Sequence, residues 1–243
     1  MLAACGGNPT PSNSVAPSVA PSPTLDPIPA GVKSISAVQA ITTKGEEVTT
    51  YGIYMGHSNK DTSYSGVTQI NSLFLADGAN YLQVYQSAKS IFTDLDKWVV
   101  GESIVVVTGT IAHYTKGSGT TYEIKGSDAY LASDPTSLIV KPVTGEVSAT
   151  KGDLVLAQTN VSMPVAIKGV TVTAASANSY GNLTIKFKPA EIEYTLYLDS
   201  RYTDVSGIAV AVGDKITCDT WIGWDGKHST WQFIYAINFA KAA

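Results

Sequence analysis

An all-β fold divided into two units is what these 243 residues predict, on three observations. Hydrophobic side chains make up 44% of the chain and charged ones 15%, too apolar a balance for a disordered polymer. Beyond position 30, apolar and polar residues alternate in short runs broken by glycine, which is the two-residue period of strands. Five such runs then recur in each half of the chain, so the pattern occurs twice.

The first element is not part of either unit. Met1-Leu2-Ala3-Ala4-Cys5 contains Leu-Ala-Ala-Cys, which resembles the lipobox of bacterial lipoproteins. That resemblance implies that Cys5 is the mature N-terminus and the lipid attachment point, and that the protein is anchored outside the cytoplasm on the cell membrane. Four residues precede Cys5, fewer than the roughly 7–15 apolar residues of a signal peptide, so the sequence is expected to begin inside a longer gene. A chance match at a start codon is the alternative. From 8 to 30 the chain holds seven of its eleven prolines, several serines and one charge, Asp26. Proline fixes φ and favours extended polyproline II, so this stretch is expected to be a disordered, semi-rigid stalk. The spacing of Pro17 and Pro21 also fits an SH3-type ligand, though a stalk is the plainer account. With Cys5 taken by lipid, Cys218 has no partner and no disulfide framework is expected. No later stretch approaches the ~18 apolar residues of a membrane span.

The strands expected in the first unit are 48–55, 70–76, 81–85, 103–114 and 120–131. Those of the second are 163–173, 183–187, 191–198, 215–224 and 230–239. Between the third and fourth strands of the first unit, 87–99 places Ile91, Leu95 and Trp98 at helical spacing, so a short helix is expected there. The halves align at a fixed offset: Val100-Gly101-Glu102-Ser103-Ile104 matches Val212-Gly213-Asp214-Lys215-Ile216, each pair 112 residues apart. The duplication implies a boundary near Lys141-Pro142, hence a linker over 1–30 and β units over 31–142 and 143–243.

Five strands, an insertion between the third and fourth, and a Val-Gly-acid turn into a long fourth strand suggest two tandem five-stranded OB-fold barrels. An immunoglobulin-like sandwich is the competing arrangement, but five short strands per unit are too few for its usual seven. The runs Tyr51-Gly52-Ile53, Leu73-Phe74-Leu75-Ala76-Asp77-Gly78, Tyr81-Leu82-Gln83-Val84-Tyr85 and Val100-Gly101-Glu102-Ser103-Ile104 resemble bacterial extracellular OB-fold domains. Such domains occur in surface lipoproteins and beside secreted nucleases. The resemblance covers 35–131. It departs at Ala76, where those domains carry a polar residue, and in the second half, which keeps only its Val-Gly-Asp strand clearly. It implies a binding or accessory module, often for nucleic acid.

Charge argues weakly the other way. Sixteen basic against twenty acidic side chains leave a net charge of −4, and Arg201 is the one arginine. No overall field draws a polyanion, and the usual guanine-reading, phosphate-clamping side chain is scarce. Catalytic sets are not recognisable. His57, His113 and His228 are scattered without zinc-site spacing, and no nucleophile elbow, Walker loop or dinucleotide fingerprint occurs. Asp77, Asp94 and Asp96 read better as solvated turn acids than as a calcium site, and Cys218 as a small core residue. A non-enzymatic protein with no metal and no cofactor is expected.

In OB barrels the loops after strands one and four flank the binding face. In the first unit those loops carry Lys60 and Tyr64, then Tyr114 and Lys116; in the second they carry Tyr180, then Trp224, Lys227 and His228. Trp224 is expected on a loop tip, free to meet a ligand, whereas Phe233 and Tyr235 are assigned to a core. Aromatic rings beside single lysines suit stacking on bases, at ~1–3 kcal/mol each, and equally suit sugar rings. Single-stranded nucleic acid and glycan are therefore both candidate partners, with a ligand-free envelope spacer or adhesion module as the alternative. A monomer is expected, touching the membrane only through its lipid.

Overall fold

The computed structural model describes residues 26–27, 30–133 and 140–242. Cys5 and most of the Pro/Ser stretch lie outside the described residues. The last part of that stretch joins the fold, because Asp26 and Pro27 pair in parallel with Ala132 and Ser133.

The first barrel consists of β1 (Glu47–His57), β2 (Val67–Asp77), β3 (Asn80–Ala88), β4 (Ile104–Ile111) and β5 (Glu123–Ser133). β1 pairs antiparallel with β2 and β4, β2 with β3, and β4 with β5; β3 meets β5 in parallel and closes the cylinder. In the second barrel β6 (Pro164–Ala177), β7 (Leu183–Phe187), β8 (Tyr194–Leu198), β9 (Lys215–Asp225) and β10 (Thr230–Ala242) repeat this pattern, with β8 and β10 as the parallel pair. Both halves are OB-fold barrels, and neither is a sandwich of two sheets. Alternation places one face of each strand inward: Leu73, Leu75, Leu82, Val84, Val105 and Val107 fill the first barrel. Ile167, Phe187, Leu196, Cys218 and Phe233 fill the second. A five-residue helix, Ile35–Gln39, buries Ile35 and Val38 in the first core and is capped by Ser34 Oγ, which accepts from the Ala37 N–H at 3.2 Å.

Two expectations need correction. Over 87–99 no α-helix forms: β3 runs on to Ala88 and two separate 3₁₀ turns follow, Lys89–Ile91 and Leu95–Lys97. Asp94 sits between them at φ 57°, a left-handed conformation that ends helical propagation, while Phe92 and Trp98 still pack into the core. The 112-residue offset also fails inside the fourth strands. Gly101 and Gly213 both adopt positive φ and donate equivalently, to Tyr54 O and Val172 O. Their neighbours then slip: Tyr54 N donates to Ser103 O, whereas Val172 N donates to Asp214 O, an offset of 111. The additional turn residue, Glu102, inverts the faces beyond it, so Cys218 points into its barrel while Val106 packs outside, with Tyr51 and Ala132. Cys218 is a buried core residue as expected, at 1% exposure, and burial with nearby Asp219 pushes its thiol up to about 12.

The barrels are packed against each other. Trp221 projects from β9 onto the outer wall of the first barrel, beside Gly56, where an added Cβ would come within 2.8 Å of the indole. Tyr235, placed in a core by the sequence, reaches that same seam. Its φ of 58° marks a bulge in β10, and its hydroxyl lies 2.7 Å from both Asn71 Nδ2 and Ser72 Oγ. The loop after β1 grips the second barrel through Asn59 Nδ2, which donates to Ala236 O at 3.2 Å, and Asn59 Oδ1, which accepts from the Asp204 N–H at 3.0 Å. At the other end Gln158 exchanges two hydrogen bonds with the backbone of Thr120, both 2.7 Å.

Candidate functional site

This docking makes a site that neither barrel has alone. A cleft of about 1120 Å³ opens between them, walled on one side by β2, β3 and the start of β5, and on the other by β7, β8 and β10. The β2–β3 face and the loop after the fourth strand, the usual binding surfaces of an OB barrel, are thus turned into a single groove. A second hollow of about 570 Å³ shares Gln86, Lys125, Arg201 and Tyr202 with the first and carries the groove on to Tyr64.

Of the residues singled out from sequence, Tyr114, Lys116, Trp224, Lys227 and His228 line the cleft, and Tyr64 lines its extension at 72% exposure. Trp224 is not on a loop tip. It stands at the end of β9, half-buried, its Nε1 donating to Lys116 O at 2.8 Å and its ring centred 4.6 Å from that of Trp231. Gly119 makes this possible, since any Cβ there would lie within the indole. The short hairpin of Tyr114–Lys116 and Gly119–Thr121 is the platform on which Trp224 rests. Lys60 and Tyr180 line neither hollow. Lys60 Nζ donates to Ser200 O at 2.6 Å and so belongs to the barrel seam. Tyr180 is 83% exposed on a loop held by Ser200 Oγ donating to Tyr180 O at 2.8 Å.

Arg201 and Tyr202 were not foreseen. The Arg201 guanidinium is held by a two-pronged bond to Asp199, with Nη2 to Oδ2 at 2.6 Å and Nε to Oδ1 at 2.9 Å, and lies 4.8 Å over the Tyr202 ring. Burial works against the Asp199 charge, yet the Arg201 bonds hold its carboxyl below the usual carboxylate range. Asp225 is likewise fixed: its carboxylate meets His228 Nδ1 at 2.5 Å and accepts from the N–H of Lys227 at 2.8 Å.

The cleft floor was missed as well. Glu123 is 8% exposed, and burial pushes its carboxyl up to about 8 despite the opposing pull of Lys44. Among the described residues its side chain has no hydrogen-bond partner, although His113 fixes its backbone: Nδ1 accepts from the Glu123 N–H at 2.9 Å. Beside it lie Gln83, in register with Glu123 across the parallel β3–β5 pair, and Tyr85, whose hydroxyl is raised to about 12 by burial and by Glu123. Gln83 and Glu123 share a sequence signal: each is a polar residue wedged between apolar neighbours in a strand, Leu82-Gln83-Val84 and Tyr122-Glu123-Ile124.

Five cations line the cleft, Lys44, Lys116, Lys125, Arg201 and Lys227, against three carboxyl groups, Glu123, Asp199 and Asp225. Among the described residues none of the four lysines enters an ion pair, and no group of His, Cys, Asp and Glu is arranged to hold a metal.

No protein-family profile and no curated protein sequence matches this one. Among solved structures, a fission yeast Pot1 with ssDNA is similar at a TM-score of 0.37 and 12% identity, covering 87% of this chain and 88% of that one. A murine DNA binding protein bound with ds DNA aligns at a TM-score of 0.40 and 9% identity over 81% of this chain and 98% of its own. A Replication Protein A heterotrimer bound to ssDNA aligns at 0.33 and 10%, over 89% and 70%. These similarities are distant, and the OB-fold assignment rests on the strand pairings themselves.

Proposed function

We propose that the groove between the barrels binds single-stranded nucleic acid without chemistry on it. The supporting observation is the set of unpaired lysines, Lys44, Lys116, Lys125 and Lys227, gathered in one cleft with Tyr85, Tyr114, Tyr197 and Tyr202 on a chain whose net charge is −4. A neutral glycan needs the rings and has no use for that concentration of cations; a phosphate backbone with splayed bases uses both. The hollow that extends the groove to Tyr64 suits a strand rather than a single nucleotide. The Leu-Ala-Ala-Cys motif and the Pro/Ser stretch support the further proposal that the protein works on the outer surface of a bacterial membrane, tethered by a lipid on Cys5.

The test is fluorescence anisotropy of the full chain with a labelled twelve-thymidine strand at low and moderate salt. Binding that weakens steeply with salt is expected. Binding of a neutral oligosaccharide that ignores salt would transfer the groove to glycans, and binding of neither would leave a structural spacer.

A further inference from the structure

We infer that the Glu123 carboxyl is a specificity determinant that selects guanine for the deepest position in the cleft. The inference rests on the nucleic-acid reading of the groove. Glu123 lines the cleft floor, is more than nine-tenths buried, and has no donor among the described residues directed at either side-chain oxygen. A carboxylate in so enclosed a place, with no protein donor and only the water of the cleft to solvate it, is costly to ionise, so a ligand that supplies donors gains what the free protein lacks. Guanine offers two parallel donors on one edge, N1–H and the N2 amino group, spaced to meet both oxygens of a carboxylate. Adenine and cytosine present one donor beside an acceptor, and thymine one donor between two acceptors, so each sets a lone pair against the second oxygen of an ionised carboxylate. The protonated acid, with one donor and one acceptor, matches adenine and cytosine instead, so the selection of guanine belongs to the ionised form, at and above about pH 8. The two bonds favour the ionised form, and a Glu123 that was protonated gives its proton to solvent as guanine enters. The titratable groups coupled to it from the packed elements are Lys44 ahead of β1, Tyr85 on β3 and Tyr235 on β10. Tyr85 lines the same cleft and is coupled to the carboxyl, so an aromatic side chain suited to stacking accompanies it.

The experiment compares, near pH 8, a twelve-thymidine strand with the same strand carrying one central guanine, adenine, cytosine or inosine. Guanine is expected to tighten binding about tenfold, in the range of one good bidentate pair. Inosine, which lacks the N2 amino group, should lose most of that gain, and this readout needs no variant of the protein. In E123Q, checked for folding by thermal melting, the preference for guanine should fall to within about twofold. Equal affinity for all five strands, inosine equal to guanine, or an undiminished preference in E123Q would each overturn the assignment of Glu123 while leaving the groove a nucleic-acid site. Failure to bind any strand would remove the groove reading and the guanine assignment together.

Discussion

The indole of Trp221 lies face to face with the ring of Phe74, centroids 4.5 Å apart and planes 11° from parallel, so a side chain from the second barrel completes its packing on the first. Phe74 is fully buried, although it lies on the outer wall of its own cylinder, where an isolated barrel would leave it wet. The stack therefore joins the two halves into one apolar body.

Trp221→Ala should cost about 3–5 kcal/mol, the usual loss for a fully buried indole. Urea denaturation followed by circular dichroism reads it. An unchanged midpoint would mean that the seam adds nothing to stability.

Gly119→Ala should unseat Trp224. The new methyl would occupy the space of the indole, and the hydrogen bond to Lys116 O would be lost with it. A red shift of tryptophan emission is expected, and it should vanish in a W224F background. A stability loss of about 1–3 kcal/mol from overpacking should accompany it.

The pH dependence of stability should carry the mark of Glu123. Its folded carboxyl sits at about 8 against an ordinary value of 4.5, so between those values the folded state holds a proton that the unfolded chain releases. Its contribution is complete below the lower value and is lost as pH rises through the upper one, at up to ~1.4 kcal/mol per pH unit. Melting temperature should fall between pH 5 and 8 more steeply in the native protein than in E123Q. Parallel curves would show that the carboxyl is ionised and solvated after all.

Salt dependence should count the cleft lysines. If four of them meet phosphates, log affinity should fall against log salt with a slope of about −3, near −0.7 per contact for a single strand. Lys125→Ala and Lys227→Ala should each make that slope shallower by roughly 0.7 and weaken all base sequences alike. A slope unaffected by both changes would place the strand elsewhere.

Much of the fold was legible in the sequence because each strand buries one face. Alternation located all ten barrel strands, and Leu183–Phe187 matched residue for residue. Elements without that imprint were missed. The Ile35–Gln39 helix is too short to show a period, and the Gly145–Ser148 strand pairs along the edge of β6 with only Val147 fully buried. In the other direction, Ile91, Leu95 and Trp98 face the core by way of two broken turns and imitate a helix.

The site was legible at its rim only. Tyr64, Tyr114, Lys116, Trp224, Lys227 and His228 follow from where OB loops fall, and the groove includes them. Its floor, Glu123 and Gln83 of the first barrel, and its far wall, Tyr197, Arg201 and Tyr202 of the second, face one another only when the barrels dock. That docking depends on contacts such as Tyr235 with Asn71, which stand 164 positions apart. No pattern within a single repeat encodes such a meeting.

Sharing one hydroxyl across the seam also restricts how this molecule can be remodelled. Severed at the junction, either half would display an oily scar and stranded amide groups, and would be expected to clump. The pair can be copied, lost or transplanted only as a single module, and its groove travels with it.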